Sequence, residues 1–220
     1  MDLLLLGYGK MNRLVAELAV ERGHCVLQAL DQGDAWRAGW TPGLVAVDFS
    51  VPGAVVDHVE RCMAAGIPMV IGTTGWLDQL ERVRCLVEAA QVGAVYGANF
   101  SVGVQAFYRI AAAAAQALPA EYDAFLWEAH HRQKLDAPSG TAKRVADLLR
   151  ASGHDPGAVA STRAGALPGI HTVGFDGPDD TITITHTARS RRGFASGALL
   201  AAQWVLGKRG LHEFSEAVQA

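Results

Sequence analysis

Two adjacent imidazoles, His130 and His131, stand a few residues before Lys134, flanked by the carboxylates of Glu128 and Asp136 and with Arg132 between. The run closes on Pro138-Ser139-Gly140-Thr141, which reads as a helix start with Ser139 as its N-cap. So dense a group of titratable side chains is poor core material. Proton donors beside an anion-binding helix start are what acid–base chemistry on an acidic small molecule requires. Blander readings stay open at this point. The histidine pair could be a metal pair, although no third ligand of suitable spacing accompanies it. Lys134 alone could equally be a solvated loop lysine. His171 and His186 read as sheet residues facing the core or a cleft rather than as catalytic bases.

The elements that must position this run begin with a nucleotide-type half. Leu3 to Leu6 is wholly apolar, as in a strand buried on both faces of a parallel sheet, and stops at Gly7-Tyr8-Gly9. Leu14, Val15, Leu18 and Ala19 recur at helical spacing up to Gly23, and Cys25 to Leu30 forms a second strand ending at Asp31. Strand, glycine turn, helix, strand and acidic residue is the order of a dinucleotide-binding βαβ unit. The fingerprint departs from its pattern at Asn12, where a third glycine is usual. That glycine serves helix–strand packing, so its loss need not abolish pyrophosphate binding. An ordinary βα turn is the alternative for the glycine turn by itself.

The alternation continues with strands at Leu44–Val47, Pro68–Ile71 and Ala94–Tyr96, separated by helices marked by Val55, Val59, Cys62 and Met63 and by Leu80, Val83 and Val87. Parallel sheets bind ligands at the carboxyl ends of their strands. Gly7, Tyr8, Gly9, Lys10, Met11, Asn12 and Asp31, then Gly72, Thr73 and Thr74, then Gly97, Ala98, Asn99 and Phe100, are therefore the expected cofactor-binding residues. For the last two groups plain turn chemistry is the alternative.

From Ser101 an alanine-rich helix runs to about Leu118. A strand from Tyr122 to Ala129 delivers the His-His run, and a helix follows from Ser139 to Arg150. Residues 153–168 read as a loop. Gly169–Phe175 and Thr181–Thr187 read as two strands around a turn, and a last helix spans Phe194–Leu206. The expected organisation is a dinucleotide-binding domain over 1–99, to which 190–220 returns, and a second domain over 100–189. The fold class is α/β, a Rossmann-type parallel sheet plus a smaller α+β domain with a mixed or antiparallel sheet.

Half of the 220 residues are apolar and the net charge is −3, enough for a real core and no basic excess that would mark nucleic acid as a partner. No run is long enough to span a membrane. Cys25, Cys62 and Cys85 read as reduced, mostly buried thiols of a cytoplasmic protein.

The run Glu128-Ala-His-His-Arg-x-Lys-x-Asp-Ala-Pro-Ser-Gly-Thr141 resembles the signature of the 4-hydroxy-tetrahydrodipicolinate (dihydrodipicolinate) reductase family. Ile71–Gly75, Ala98–Gly103, His171-Thr172, Ile184–His186 and Phe194–Ala198 agree in order. The resemblance implies hydride transfer from NADH or NADPH to a cyclic, unsaturated imine-type dicarboxylate in the diaminopimelate route to lysine. It also implies His130 as proton donor/acceptor, Lys134 as second donor, His131, Gly140 and Thr141 as substrate-binding residues, no metal, and a homotetramer that pairs sheets of the second domain. Arg191 matches a family arginine near the active site. Asp31 would repel a 2′-phosphate and favour NADH, whereas Arg37 in the following loop could reach one. Hinges for domain closure would fall near Asn99–Ser101 and Ser190–Arg191. Two other readings compete: a different nucleotide-dependent dehydrogenase on the same fold, and a nucleotide-binding sensor without turnover, for which paired proton donors would be needless.

Overall fold

Strand β1 (Asp2–Leu6) carries four leucines with no solvent exposure, a pattern stable only between two helical layers. The computed structural model describes every residue except 37–39, 41 and 220, so the expectation placed on Arg37 lies outside the described residues. Beside β1 lie β2 (Cys25–Leu30) and β3 (Leu44–Asp48), followed by β4 (Met69–Ile71), β5 (Gly93–Tyr96) and β10 (Gly210–Glu213). The order is β10-β5-β4-β3-β1-β2, with each pairing parallel. One face packs α1 (Lys10–Glu21) and α6 (Arg192–Trp204) through Val15, Leu18, Ala198 and Leu199. The other packs α2 (Val55–Ala64) and α3 (Leu80–Ala90) through Val59, Met63, Val83 and Val87. Strand order reverses direction at β1 and β3, the switch point where such sheets bind ligands.

This sheet and its helices form one unit, Met1–Ser101 with Arg192–Ala220, and Val102–Arg191 form the other. The second unit has a mixed sheet in the order β7-β6-β8-β9, built from β6 (Asp123–His130), β7 (Ala160–Arg163), β8 (Ile170–Asp176) and β9 (Thr181–Thr187). Strand β7 runs parallel to β6, whereas β8 and β9 are antiparallel neighbours. Helices α4 (Val102–Ala117) and α5 (Gly140–Ala151) cover one face through Phe107, Ala111, Val145 and Leu149 against Leu126, Val173 and Phe175. The opposite face presents Phe125, Thr172, Gly174 and Thr185, with Phe125 exposed and the two threonine hydroxyls 2.9 Å apart.

Three expectations are corrected. Residues 153–168 are not all loop, because Ala160–Arg163 adds a strand; it is four residues long and mostly exposed, so it carries no apolar alternation to read. The chain beyond Leu206 adds β10 and the short helix α7 (Phe214–Gln219), whose Phe214 is buried. Cys62 alone of the three thiols is buried, and Cys25 and Cys85 are exposed. Cys25 opens an edge strand and Cys85 lies on a helix flank, positions that a count of cysteines does not disclose.

Within the first unit α6 crosses so close to the backbone after β5 that a Cβ on Gly197 would stand 1.7 Å from the Phe100 carbonyl oxygen. Gly197→Ala is expected to cost about 3 kcal/mol or to displace the Asn99–Ser101 segment. Denaturant titration checks it: a midpoint like the parent's would show that α6 can shift freely.

Candidate active site

Strand β6 alternates its side chains, so Leu126, Glu128 and His130 all point to the helix-covered face. Glu128 is thereby buried without solvent, and its carboxylate must find donors inside the protein. Its Oε1 accepts from the Ser139 backbone N–H at 3.1 Å, Ser161 Oγ at 2.9 Å and Arg163 Nη2 at 2.7 Å. Its Oε2 lies 3.4 Å from His130 Nδ1 and 3.7 Å from His171 Nε2. Burial alone would raise the Glu128 carboxyl, but the donors from Ser139, Arg163 and Ser161 outweigh it and hold it down to about 2.

The imidazoles respond in the opposite way. Burial pushes His171 down to about 4, with His130 adding to the effect, and burial lowers His130 while Glu128 only partly restores it. Both rings are neutral at neutral pH in the ligand-free protein. His130 and His171 stand edge to face with centroids 5.1 Å apart, and His186 and His171 both border Phe107. On its other side His130 Nε2 would be 3.1 Å from a Cβ on Gly169, whose φ of +138° itself demands glycine.

Glu128, His130 and His171 bring ligand-type atoms within 4.8 Å of one another. The group does not include His131, so it is not the adjacent histidine pair; β8 supplies His171 as the second imidazole. Arg163 already provides the cation that this carboxylate requires, so a dication would enter a pocket whose one negative charge is balanced.

After β6 the chain turns, with Lys134 N–H donating to the His131 carbonyl at 3.1 Å. Lys134 Nζ lies 2.8 Å from Asp136 Oδ1, and Arg163 Nη2 donates to the Asp136 carbonyl at 2.6 Å. Ser139 then caps α5, its hydroxyl accepting from the Ala142 N–H at 3.2 Å and lying 3.1 Å from His171 Nε2. Gly140 and Thr141 form the first turn. Gly140 is exposed with open space where a Cβ would be, and Tyr108 of α4 hydrogen-bonds the Thr141 side chain. His130, Lys134, Gly140 and Thr141 thus lie around one short stretch of chain, and half-buried His131 opens the turn beside them. Arg191 is exposed beyond β9. Ser161, Arg163 and Tyr108 are the members that residue-type reasoning missed, whereas Glu128 was read only as a flanking carboxylate and His171 only as a sheet residue facing the core or a cleft.

The nucleotide-type half is built in the first unit. Gly7 has φ +78°, and a Cβ there would come within 2.7 Å of Ser50 Cα, so β1 can turn only through glycine. Gly9 is the N-cap of α1, without a side-chain cap, without acidic residues in the first turn and with open space around it. Free N–H groups at an uncapped helix start suit a pyrophosphate, so the residues present fit a dinucleotide. Asn12 is fully buried in α1, its amide donating to the carbonyls of Leu6 at 2.9 Å, Gly7 at 2.6 Å and Val47 at 3.2 Å. Where the fingerprint has a glycine, this side chain ties the turn to two strands from beneath.

Tyr8 and Lys10 are exposed and Met11 half-buried at the same turn, and Asp31 is exposed just beyond β2. Buried Asp48 accepts from the Ser50 N–H at 2.9 Å, Ser50 Oγ at 2.6 Å and Thr73 Oγ1 at 2.7 Å, and lies 2.8 Å from His58 Nδ1. It thereby fixes the loop after β3 to Gly72-Thr73-Thr74, where Thr74 is exposed. Gly97, Ala98, Asn99 and Phe100 follow β5, Phe100 buried against Phe214 and Ala98 exposed.

A Rossmann-type unit with an uncapped phosphate-type turn, joined to an α+β unit carrying a histidine–lysine–carboxylate cluster, defines a two-unit pyridine-nucleotide oxidoreductase. An amine dehydrogenase of Mycobacterium smegmatis shares this architecture, with a TM-score of 0.65 at 11% identity over 98% of this chain and 95% of that one. The chain belongs to the dihydrodipicolinate reductase family: the family's N-terminal model matches residues 1–100 and its C-terminal model residues 103–218. A 4-hydroxy-tetrahydrodipicolinate reductase of Christiangramia forsetii is 36% identical over 96% of this chain and 95% of its own. One from Thiobacillus denitrificans is 35% identical over 94% of each. The dipicolinate-bound dihydrodipicolinate reductase of Paenisporosarcina sp. TG-14 superposes with a TM-score of 0.81, at 23% identity over 97% of both chains.

Because the folded Glu128 carboxyl lies below its ordinary 4.5, its stabilisation is complete above that value and is lost as pH falls toward about 2. Glu128→Gln is expected to cost about 3 kcal/mol at neutral pH by orphaning Arg163. The gap to the parent should narrow as pH is lowered through that window. Urea titrations giving a pH-independent gap would contradict this account of the cluster.

Proposed function

We propose that the chain reduces 4-hydroxy-tetrahydrodipicolinate to tetrahydrodipicolinate with NADH or NADPH, in the diaminopimelate route to lysine. The observation that carries this reading is the convergence of His130, Lys134 and the α5 N-terminus around one turn, on a chain of this family. The nicotinamide supplies the hydride when bound. Gly7, Tyr8, Gly9, Lys10 and Met11 hold the pyrophosphate side of the nucleotide, with Asn12 acting from beneath the turn. Asp31 accepts from ribose hydroxyls, and Gly72, Thr73, Thr74, Gly97, Ala98, Asn99 and Phe100 line the remainder.

The substrate's carboxylates are held by Gly140, Thr141 and His131, with the ammonium of Lys134 as counter-charge. Loss of the 4-hydroxyl as water gives the conjugated imine, and hydride addition to it leaves negative charge on the neighbours of the receiving carbon, which a proton and fixed positive charge must meet. Lys134 donates that proton or stabilises that charge, and His130 acts as proton donor/acceptor. Asp31 favours NADH over a phosphorylated dinucleotide, within dual use. The threonine-bearing face of the β6–β9 sheet supplies contacts of a homotetramer, and the enzyme works in the cytoplasm. Among the described residues no helix is long and apolar enough to cross a membrane.

The deciding assay generates the substrate fresh from pyruvate and aspartate semialdehyde and follows loss of nicotinamide absorbance; no oxidation above background with either cofactor would sink the reading. Lys134→Ala is expected to lower kcat by roughly two to four orders of magnitude, and undiminished turnover would remove Lys134 from the mechanism. Asp31→Ala should weaken NADH more than NADPH in KM, and the reverse order would refute its assignment.

A further inference from the structure

The ligand-free turn after β6 is already occupied by an anion of its own. Asp136 Oδ1 lies 2.8 Å from Lys134 Nζ, and Lys134, with a smaller contribution from the Gly140 N–H at the start of α5, holds this carboxyl below its ordinary range. These are two of the groups assigned above to a carboxylate of the substrate. The Asp136 backbone cannot drift away, because Arg163, anchored on buried Glu128, grips its carbonyl at 2.6 Å. Its side chain, by contrast, is half-exposed and free to swing out.

We propose that Asp136 is an internal stand-in for the substrate: its carboxylate fills the Lys134–Gly140 carboxylate seat in the ligand-free enzyme and must be displaced when a dicarboxylate binds. The inference rests on the proposed role of Lys134, Gly140 and Thr141. The physical argument is one of competition. An ammonium and a helix N-terminus left bare would draw in any small anion, whereas a tethered carboxylate satisfies both at high local concentration. A monocarboxylate has one group with which to displace it. A dicarboxylate gains a second anchor, so the tethered aspartate penalises the wrong ligand more than the right one. Asp136 is on this account a specificity-determining residue, and it sets affinity by opposing binding.

The opposite role would be a positioning one, with Asp136 holding Lys134 ready for the substrate. The two differ in sign. Asp136→Asn keeps a carbonyl oxygen for the Lys134 and Gly140 donors while removing the competing charge. Calorimetric titration with pyridine-2,6-dicarboxylate, in the presence of saturating oxidised dinucleotide, is expected to give a Kd roughly three- to tenfold lower for Asp136→Asn than for the parent. Picolinate, the monocarboxylate, should gain at least as much, and the advantage of the variant should shrink as salt is raised. An unchanged or weaker Kd for Asp136→Asn overturns the proposal, as does a gain that salt does not touch. Lys134→Ala separates this failure from failure of the underlying reading: a dicarboxylate Kd unmoved by Lys134→Ala would show that the seat lies elsewhere, and the proposal would fall with it. Thermal melts of each variant with and without dinucleotide confirm that the proteins compared are folded.

Discussion

A carboxylate buried without solvent must be given its hydrogen bonds and its counter-charge by the chain itself, and in the second unit that carboxylate is Glu128. One oxygen collects donors from the α5 cap, from Ser161 and from Arg163, while the other faces His130 and His171. Those partners lie on four stretches of chain, at His130, Ser139, Ser161–Arg163 and His171. Satisfying one charge therefore fixes β7 against β6, the start of α5 against the sheet, and the ring of His130 against that of His171. Remove the charge, and the ladders and apolar packing still join these elements, but nothing fixes these polar side chains at that point. Because an unpaired buried charge costs far more than a paired one stabilises, the cluster acts as a constraint on geometry more than as a source of stability.

The first unit solves its own problem by the same means. Asn12 and Asp48 are buried polar side chains whose bonds run to the ends of neighbouring strands and loops. Neither needs an atom directed at a ligand. Each fixes backbone that is directed there: the glycine turn before α1 in one case, Ser50 and Thr73 in the other. In both units the groups suited to anions are helix N-termini, and in both the surrounding side chains leave room. Gly9 and Gly140 have open space where a Cβ would stand.

Legibility in the sequence follows from this division. Strands β1 to β5 and the amphipathic helices between them were readable because burial on both faces, or one, leaves a pattern. The polar run at His130 was readable because six functional groups crowd one turn and cannot all be buried. The partners of Glu128 were not. Arg163 sits in a four-residue exposed strand inside a stretch that looks like loop, and His171 looks like any other histidine in a strand until pairing sets it opposite Glu128. Strand β10 adds at the sheet edge after a long detour through the other unit, and four half-exposed residues carry no period to find. What sequence could not supply was pairing.

The charge balance of the cluster shows how a ligand would change it. In the ligand-free protein Lys134 and Arg163 stand against Glu128 and Asp136, each cation within 2.8 Å of its carboxylate. Burial keeps His130 and His171 neutral in that state. A dicarboxylate arriving at this turn adds two negative charges and removes water, and nearby anions favour the protonated form of an imidazole. His130 faces the Oε2 of Glu128 through Nδ1, and His171 faces the same oxygen through Nε2. On the proposed role of His130, the substrate's own charge would then favour the protonated ring over the neutral one that burial sets. A neutral ligand of the same shape would leave His130 as burial holds it, so the charge state of this ring depends on the charge of what binds beside it.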